Sequence, residues 1–175
     1  GADKDNEVRL IQVAVWAGND ILAERPVVRR DRARRQLEGL KNRVNPHFLF
    51  NTLNSIYALA LEKSDNTATA VVKLSGMMRY VLTEANKDLV LLEKEISYLD
   101  SYIELQRIRY GNSLLLNYAI SGNITGKKIA PLILIPFVEN AFKHGNLRDF
   151  PLEISIETKA NQLLFHQKKG HHILG

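Results

Sequence analysis

Two short stretches carry side chains able to do chemistry. The first is Asn45-Pro46-His47-Phe48-Leu49-Phe50-Asn51. His47 and Asn51 are four positions apart, so on a helix they share a face one turn apart. A neutral imidazole is a good nucleophile near neutral pH. Once phosphorylated, its P–N bond is labile and the group can be handed on, which suits a relay. Asn51 adds an amide that can hydrogen-bond the imidazole, a phosphate or an attacking water. The second stretch is Val138-Glu139-Asn140-Ala141-Phe142-Lys143-His144-Gly145. Asn140 shares a helical face with Lys143 and with His144. An amide oxygen suits Mg²⁺, a hard cation that takes few protein ligands and relies on substrate phosphates for others. Lys143 and His144 can neutralise such phosphates, and Glu139 can polarise a nucleophile or face solvent. Each stretch also has an ordinary reading. His47 can be a satisfied histidine beside an amide in a helical bundle. Lys143 and His144 can be cations complementing the end of a helix.

The elements that would position these residues are readable from periodicity. Residues 6–24 carry Val8, Ile11, Val15, Ile21 and Leu22 among polar residues and suggest an amphipathic helix, weakened by Gly18 and broken at Pro26. A helix is expected over 31–62, with Asp31 as N-cap and a kink at Pro46. It has two apolar stripes, Leu37-Leu40-Val44-Phe48 and Leu49-Leu53-Ile56-Ala60, on different faces, so it needs two partners. After the turn at Ser64-Asp65-Asn66, a second helix runs about Thr67 to Glu84 and makes an antiparallel hairpin with the first. A third helix is expected from Leu92 to Tyr110, stopped by Gly111. Ile96, Leu99, Tyr102, Ile103 and Ile108 form its apolar face, and charged residues fill the other.

The period then changes. Leu114, Leu116, Tyr118 and Ile120 read as a strand, Pro131 to Lys143 as a helix, and 152–157 and 162–167 as two further strands. The fold class is α+β. An N-terminal helical linker (1–30) and a helical part (31–86) precede a mixed part (87–175).

Composition narrows the functional classes. The chain has 175 residues, 45% hydrophobic and 25% charged, without cysteine. That excludes disulfides and thiolate metal sites. Part of the net charge of +5 comes from Arg29, Arg30, Arg32, Arg34 and Arg35. This run reads as a solvated helix face or as a cytoplasmic segment following a membrane span. Nucleic-acid binding is not expected, because no aromatic-interleaved basic stripe accompanies it. No apolar run reaches the ~20 residues needed to cross a bilayer.

Residues 45–56, Asn-Pro-His-Phe-Leu-Phe-Asn-Thr-Leu-Asn-Ser-Ile, resemble the H-box of the LytS-like sensor histidine kinases. The helix from Leu92 through Tyr102-Ile103-Glu104-Leu105-Gln106 to Arg109-Tyr110 resembles that family's linking helix, and Pro131 through Gly145 its N-box. The resemblance covers roughly residues 36–165. It implies a helical hairpin that dimerises into a four-helix bundle and carries the phosphoacceptor, His47. An ATP-binding α/β sandwich of the GHKL (Bergerat) type follows. Asn140 would bind Mg²⁺, and Lys143 and His144 the ATP phosphates. The implied partners are a second copy and a response regulator, often of LytTR type, whose aspartate receives the phosphoryl group. The parent protein would be membrane-anchored, with this portion in the cytoplasm.

Phe48 stands where wider histidine kinases carry an acidic base, so Glu139 is the candidate base. Pro136 stands where the wider superfamily often has Asn or Glu. Lys169 to Gly175 show no Gly-x-Gly pattern of the family's nucleotide lid, so a partial ATP-binding domain is expected. The alternative is a non-catalytic dimerising signalling partner on the same fold.

Overall fold

The structure is a computed structural model and describes residues 9–14, 16–17, 45–143, 147 and 151–169. It is mixed helix and sheet. In chain order the elements are β1 (Arg9–Ala14), β2 (Trp16–Ala17), α1 (Pro46–Leu61), α2 (Asn66–Thr83), β3 (Val90–Leu91) and α3 (Leu92–Tyr110). A 3₁₀ turn (Gly111–Ser113) leads to β4 (Leu116–Ser121), β5 (Lys127–Ile129), α4 (Ile135–Lys143), β6 (Leu152–Lys159) and β7 (Gln162–Lys169).

Four strands form one sheet in the order β1-β7-β6-β4. β6 and β7 are an antiparallel hairpin, and β4 runs parallel to β6 with Leu116 opposite Leu152. A three-stranded ribbon, β2-β5-β3, lies apart from it. Alternation sets the faces of the large sheet, because successive strand side chains point to opposite sides. Leu152, Ile154 and Ile156 of β6 and Leu163 and Phe165 of β7 are buried on one side, while Glu153 and Lys168 are exposed. The helices cover the buried side. Phe137 of α4 meets Phe165 with ring centroids 5.8 Å apart. The Tyr118 hydroxyl of β4 donates to Asp100 of α3 at 2.9 Å.

Several expectations change. In place of the helix expected over 6–24, Arg9–Ala14 is a strand paired antiparallel with β7, and Trp16–Ala17 pairs with β5. Pairing with distant strands overrides a local helical spacing. Pro46 does not kink a continuous helix; it is the first residue of α1. Its missing N–H is harmless there, and its fixed φ suits the first turn. Asn45 caps the helix, its side-chain oxygen accepting from the N–H of His47 at 3.1 Å and of Phe48 at 3.3 Å. The expected segment 31–44 and the basic run lie outside the described residues.

α4 begins at Ile135, not Pro131, because the chain turns sharply first: Leu132 has φ +58°. Pro136 falls in the first turn of α4, where a proline costs no helical hydrogen bond. α3 keeps its expected bounds, but its face is not simply charged opposite apolar. Glu95 is fully buried. Its carboxylate accepts from the Tyr80 hydroxyl of α2 and from the N–H groups of Leu132 at 3.0 Å and Leu134 at 3.3 Å. Burial raises the Glu95 pKa, and these donors oppose the rise. Glu84 at the end of α2 pairs with Lys87 and with Lys94 of α3 at 2.7 and 2.8 Å.

Candidate functional site

The residues singled out in the sequence come from α1 and α4, far apart in the chain. His47, Glu139, Asn140 and Lys143 nevertheless line one cavity of about 640 Å³, together with Asn45, Phe48, Tyr102, Gln106, Arg109, Tyr110 and Phe142. Its size falls within the range of small-molecule sites.

The floor is aromatic. Phe48 of α1 packs on Tyr102 of α3 with ring centroids 4.6 Å apart, and Tyr102 meets Phe142 of α4 edge-on at 5.7 Å. These pairs hold three helices together beneath the polar groups. His47 sits in the first turn of α1, exposed, one residue before the buried Phe48. The helical rotation between neighbours therefore turns the imidazole outward while its neighbour anchors the helix. The amide nitrogen of Asn51 lies 3.2 Å from both His47 ring nitrogens. It is placed to orient the ring but does not select one tautomer. Asn51 does not line the cavity and reaches the site through His47.

On the opposite wall, Asn140 and Lys143 are exposed to the cavity, while Glu139 is half-buried. Burial raises the Glu139 pKa, and a hydrogen bond from Asn45 opposes the rise. That bond, Asn45 Nδ2 to Glu139 Oε1 at 3.4 Å, joins the cap of α1 to α4. A carboxyl held above its usual pKa is a better proton acceptor than an exposed one. His144 and Gly145 lie outside the described residues.

Sequence reasoning did not single out Asn45, Tyr102, Gln106 or Arg109 for the site. Gln106 is buried, and its Nε2 donates to the Tyr102 hydroxyl at 2.8 Å. Its Oε1 has no hydrogen-bond partner among the described residues. The Arg109 guanidinium lies 5.2 Å from the Tyr110 ring centroid, a cation–π contact. Tyr102, Gln106 and Tyr110 recur every four residues, so a polar interruption of an apolar helical face was the signal available. Arg109 and Lys143 against one carboxylate, Glu139, leave the wall with a cationic excess, which suits a polyanion.

The donor set fits a magnesium ion delivered by phosphates. Asn140 would offer such an ion one neutral oxygen, and no group of three or more His, Cys, Asp or Glu poised to hold a metal occurs among the described residues.

The cavity unites the His47 imidazole with the Glu139, Asn140 and Lys143 side chains of α4. Residues 35–114 match the family model described as histidine kinase. A protein described as an uncharacterized sensor-like histidine kinase, from Staphylococcus epidermidis (strain ATCC 12228 / FDA PCI 1200), is 34% identical over 131 residues, 75% of this chain and 25% of that protein. Sensor protein kinase HptS of Staphylococcus aureus (strain USA300) is 36% identical over 110 residues, 63% of this chain and 21% of that protein. The chain thus spans about a quarter or less of these curated relatives' length. Over the matched residues it is similar to the histidine kinases, and the family match together with these relatives supports a LytS-like sensor histidine kinase. No helix among the described residues is long and apolar enough to cross a membrane.

Proposed function

We propose that the chain is the phosphoryl-transfer core of a two-component sensor kinase, in which His47 takes the γ-phosphoryl group of ATP. The single observation that carries this reading is the cavity shared by His47 of α1 and Glu139, Asn140 and Lys143 of α4. A ring nitrogen of His47 attacks the γ-phosphorus. The bond from that phosphorus to the bridging oxygen breaks, ADP leaves, and the proton of the other ring nitrogen passes to Glu139. Asn51 orients the ring. Lys143 and Arg109 neutralise phosphate charge, with His144 of the same motif as a further phosphate contact. Asn140 would hold Mg²⁺ through its amide oxygen, and the ion would supply positive charge against the triphosphate. The phosphoryl group then passes to an aspartate of a response regulator, for which a LytTR-type protein is the candidate.

The same reading divides the chain into a dimerising hairpin (31–86) and a GHKL-type ATP-binding part (87–175), to whose sheets β1 and β2 of the first thirty residues add strands. The hairpin supports a homodimer. Phe50, Leu53, Tyr57 and Leu61 are exposed at helical spacing along α1, and a second copy would cover them as one half of a four-helix bundle. The parent protein is anchored in a membrane, with this chain on its cytoplasmic side.

The test is incubation of the full-length protein with labelled ATP and Mg²⁺. Acid-labile, base-stable label is expected on His47. His47→Gln should abolish it. Asn140→Ala should reduce it below detection while shifting thermal stability by about 1 kcal/mol or less, as for substitutions away from the core. Full labelling of His47→Gln would end the phosphoacceptor assignment.

A further inference from the structure

We infer that Glu95 is a positioning residue for this reaction, a buried clamp that fixes the turn launching α4 and ties it to the hairpin through Tyr80. The inference deepens the proposed function and rests on it for its kinetic consequence.

The observations concern groups that the cavity does not contain. Glu95 has no exposed surface, and no cation is paired with it among the described residues. A buried carboxylate in that position must be satisfied by hydrogen bonds. The donors come from two places. Tyr80 lies near the end of α2, and Leu132 and Leu134 lie in the turn before α4. Tyr80 and Leu132 share one oxygen, Oε2, and Leu134 takes the other.

The turn needs holding. Leu132 has φ +58°, a conformation that a branched, bulky residue adopts only when its surroundings impose it. Leu134 is equally constrained, since its carbonyl accepts the first bonds of α4 from Phe137 at 3.2 Å and Val138 at 3.4 Å. One carboxylate therefore fixes both the strained residue and the residue on which the helix is built. A negative charge at that end also complements the helix dipole. The helix so placed carries Glu139, Asn140 and Lys143 within nine residues. Tyr80 adds the link to the hairpin that bears His47, and its ring packs on Tyr98 of α3 with centroids 5.0 Å apart. A displacement of α2 at Tyr80 is thus transmitted, through one oxygen atom, to the turn that orients the Asn140 wall.

The experiment compares Tyr80→Phe and Glu95→Gln, each made in the full-length protein, with the unsubstituted protein by two readouts. The first is amide hydrogen exchange at Leu132 and Leu134, without nucleotide. The second is the KM for MgATP and the kcat for His47 labelling, per folded molecule and well below melting. Glu95→Gln should speed exchange at both amides about tenfold or more, the scale of a hydrogen bond to a carboxylate, and raise the KM. Tyr80→Phe keeps the carboxylate. It should leave the KM within about twofold and lower kcat about tenfold, because only the tie to the hairpin is lost. A merely structural pair would lower the melting temperature and leave both constants per folded molecule unchanged, which would overturn the inference. Unchanged exchange at Leu132 and Leu134 in Glu95→Gln would also overturn it. Should Glu95→Gln fail to fold, the KM-against-kcat split in Tyr80→Phe decides alone. If the unsubstituted full-length protein takes no label but Glu95→Gln loses amide protection, the proposed reaction fails and the clamp stands.

Discussion

The sheet and the hairpin treat their apolar residues differently. In β6 and β7, Leu152, Ile154, Ile156, Leu163 and Phe165 are no more than 1% exposed. In α1 and α2, Phe50, Tyr57, Leu61, Val72 and Leu82 are about two-thirds exposed. The sheet has its cover within the same chain, supplied by α3 and α4. The hairpin has cover on one side only, where Phe48, Leu74, Met77 and Tyr80 are buried. One half of the molecule closes its own core and the other presents half of a core, so substitutions of equal size should have different consequences in the two.

The largest effect on stability is expected in the sheet. Phe165→Ala removes a fully buried ring that contacts Phe137 and should cost about 3–5 kcal/mol, as large-to-small core changes do. Chemical denaturation measures it, and a loss below about 1 kcal/mol would show that the sheet is not the closed core described. Tyr57→Ser on the exposed face of α1 should leave the unfolding free energy of the monomer within about 0.5 kcal/mol. It should nonetheless weaken self-association about tenfold or more, since buried aromatic anchors dominate interfaces. Light scattering over a micromolar concentration series is the measurement. A protein that is already monomeric before substitution would remove the dimer proposal and leave the exposed stripe unexplained.

The smallest effect lies at the seam between the two regions. Burial raises the Glu139 pKa. A carboxyl whose folded pKa exceeds its unfolded value favours the folded state while protonated. That advantage fades as pH rises from the ordinary carboxylate range through the raised value. Glu139→Gln, which keeps an acceptor for Asn45, should therefore raise the melting temperature slightly at pH 7 and not at pH 4. An equal shift at both pH values would mean that Glu139 pays no burial penalty in the folded chain.

The chemistry-bearing motifs and the helices around them were legible because their signals are local. His47 and Asn51 are one turn apart in the sequence and lie beside each other in space. α3 ends where Gly111 permits φ +57°, as the sequence suggested. Residues whose roles depend on distant partners were not legible. Leu10, Ile11 and Val13 belong to a strand because β7 lies alongside, which no local spacing reports. Pro46 inside an apolar periodic stretch has the pattern of a kink, but Asn45-Pro46 also has the form of a cap followed by a first-turn proline. Pro131 to Leu134 was joined to α4 because its apolar residues continue the helical pattern. The turn there is held by Glu95, thirty-seven residues before Leu132. β3 and β5 are too short for alternation to register. Charge alone placed Glu95 on the solvent side of α3, and nothing in the sequence announces that Tyr80 and two N–H groups meet it.

The pairing of β1 with β7 has a consequence for how the chain acquires its shape. Arg9 lies opposite Gln167, so this contact closes a loop of nearly the whole chain, and closure entropy makes such contacts slow to form. β6 and β7 are neighbours joined by a tight turn and can pair early. Until β1 arrives, the outer edge of β7 presents unpaired N–H and C=O groups, the kind of edge that recruits strands from other molecules. On the ribosome the order reverses. β1 is made before β7 and must wait, without its partner, until β7 has been synthesised, so the sheet cannot reach its four-stranded form before then.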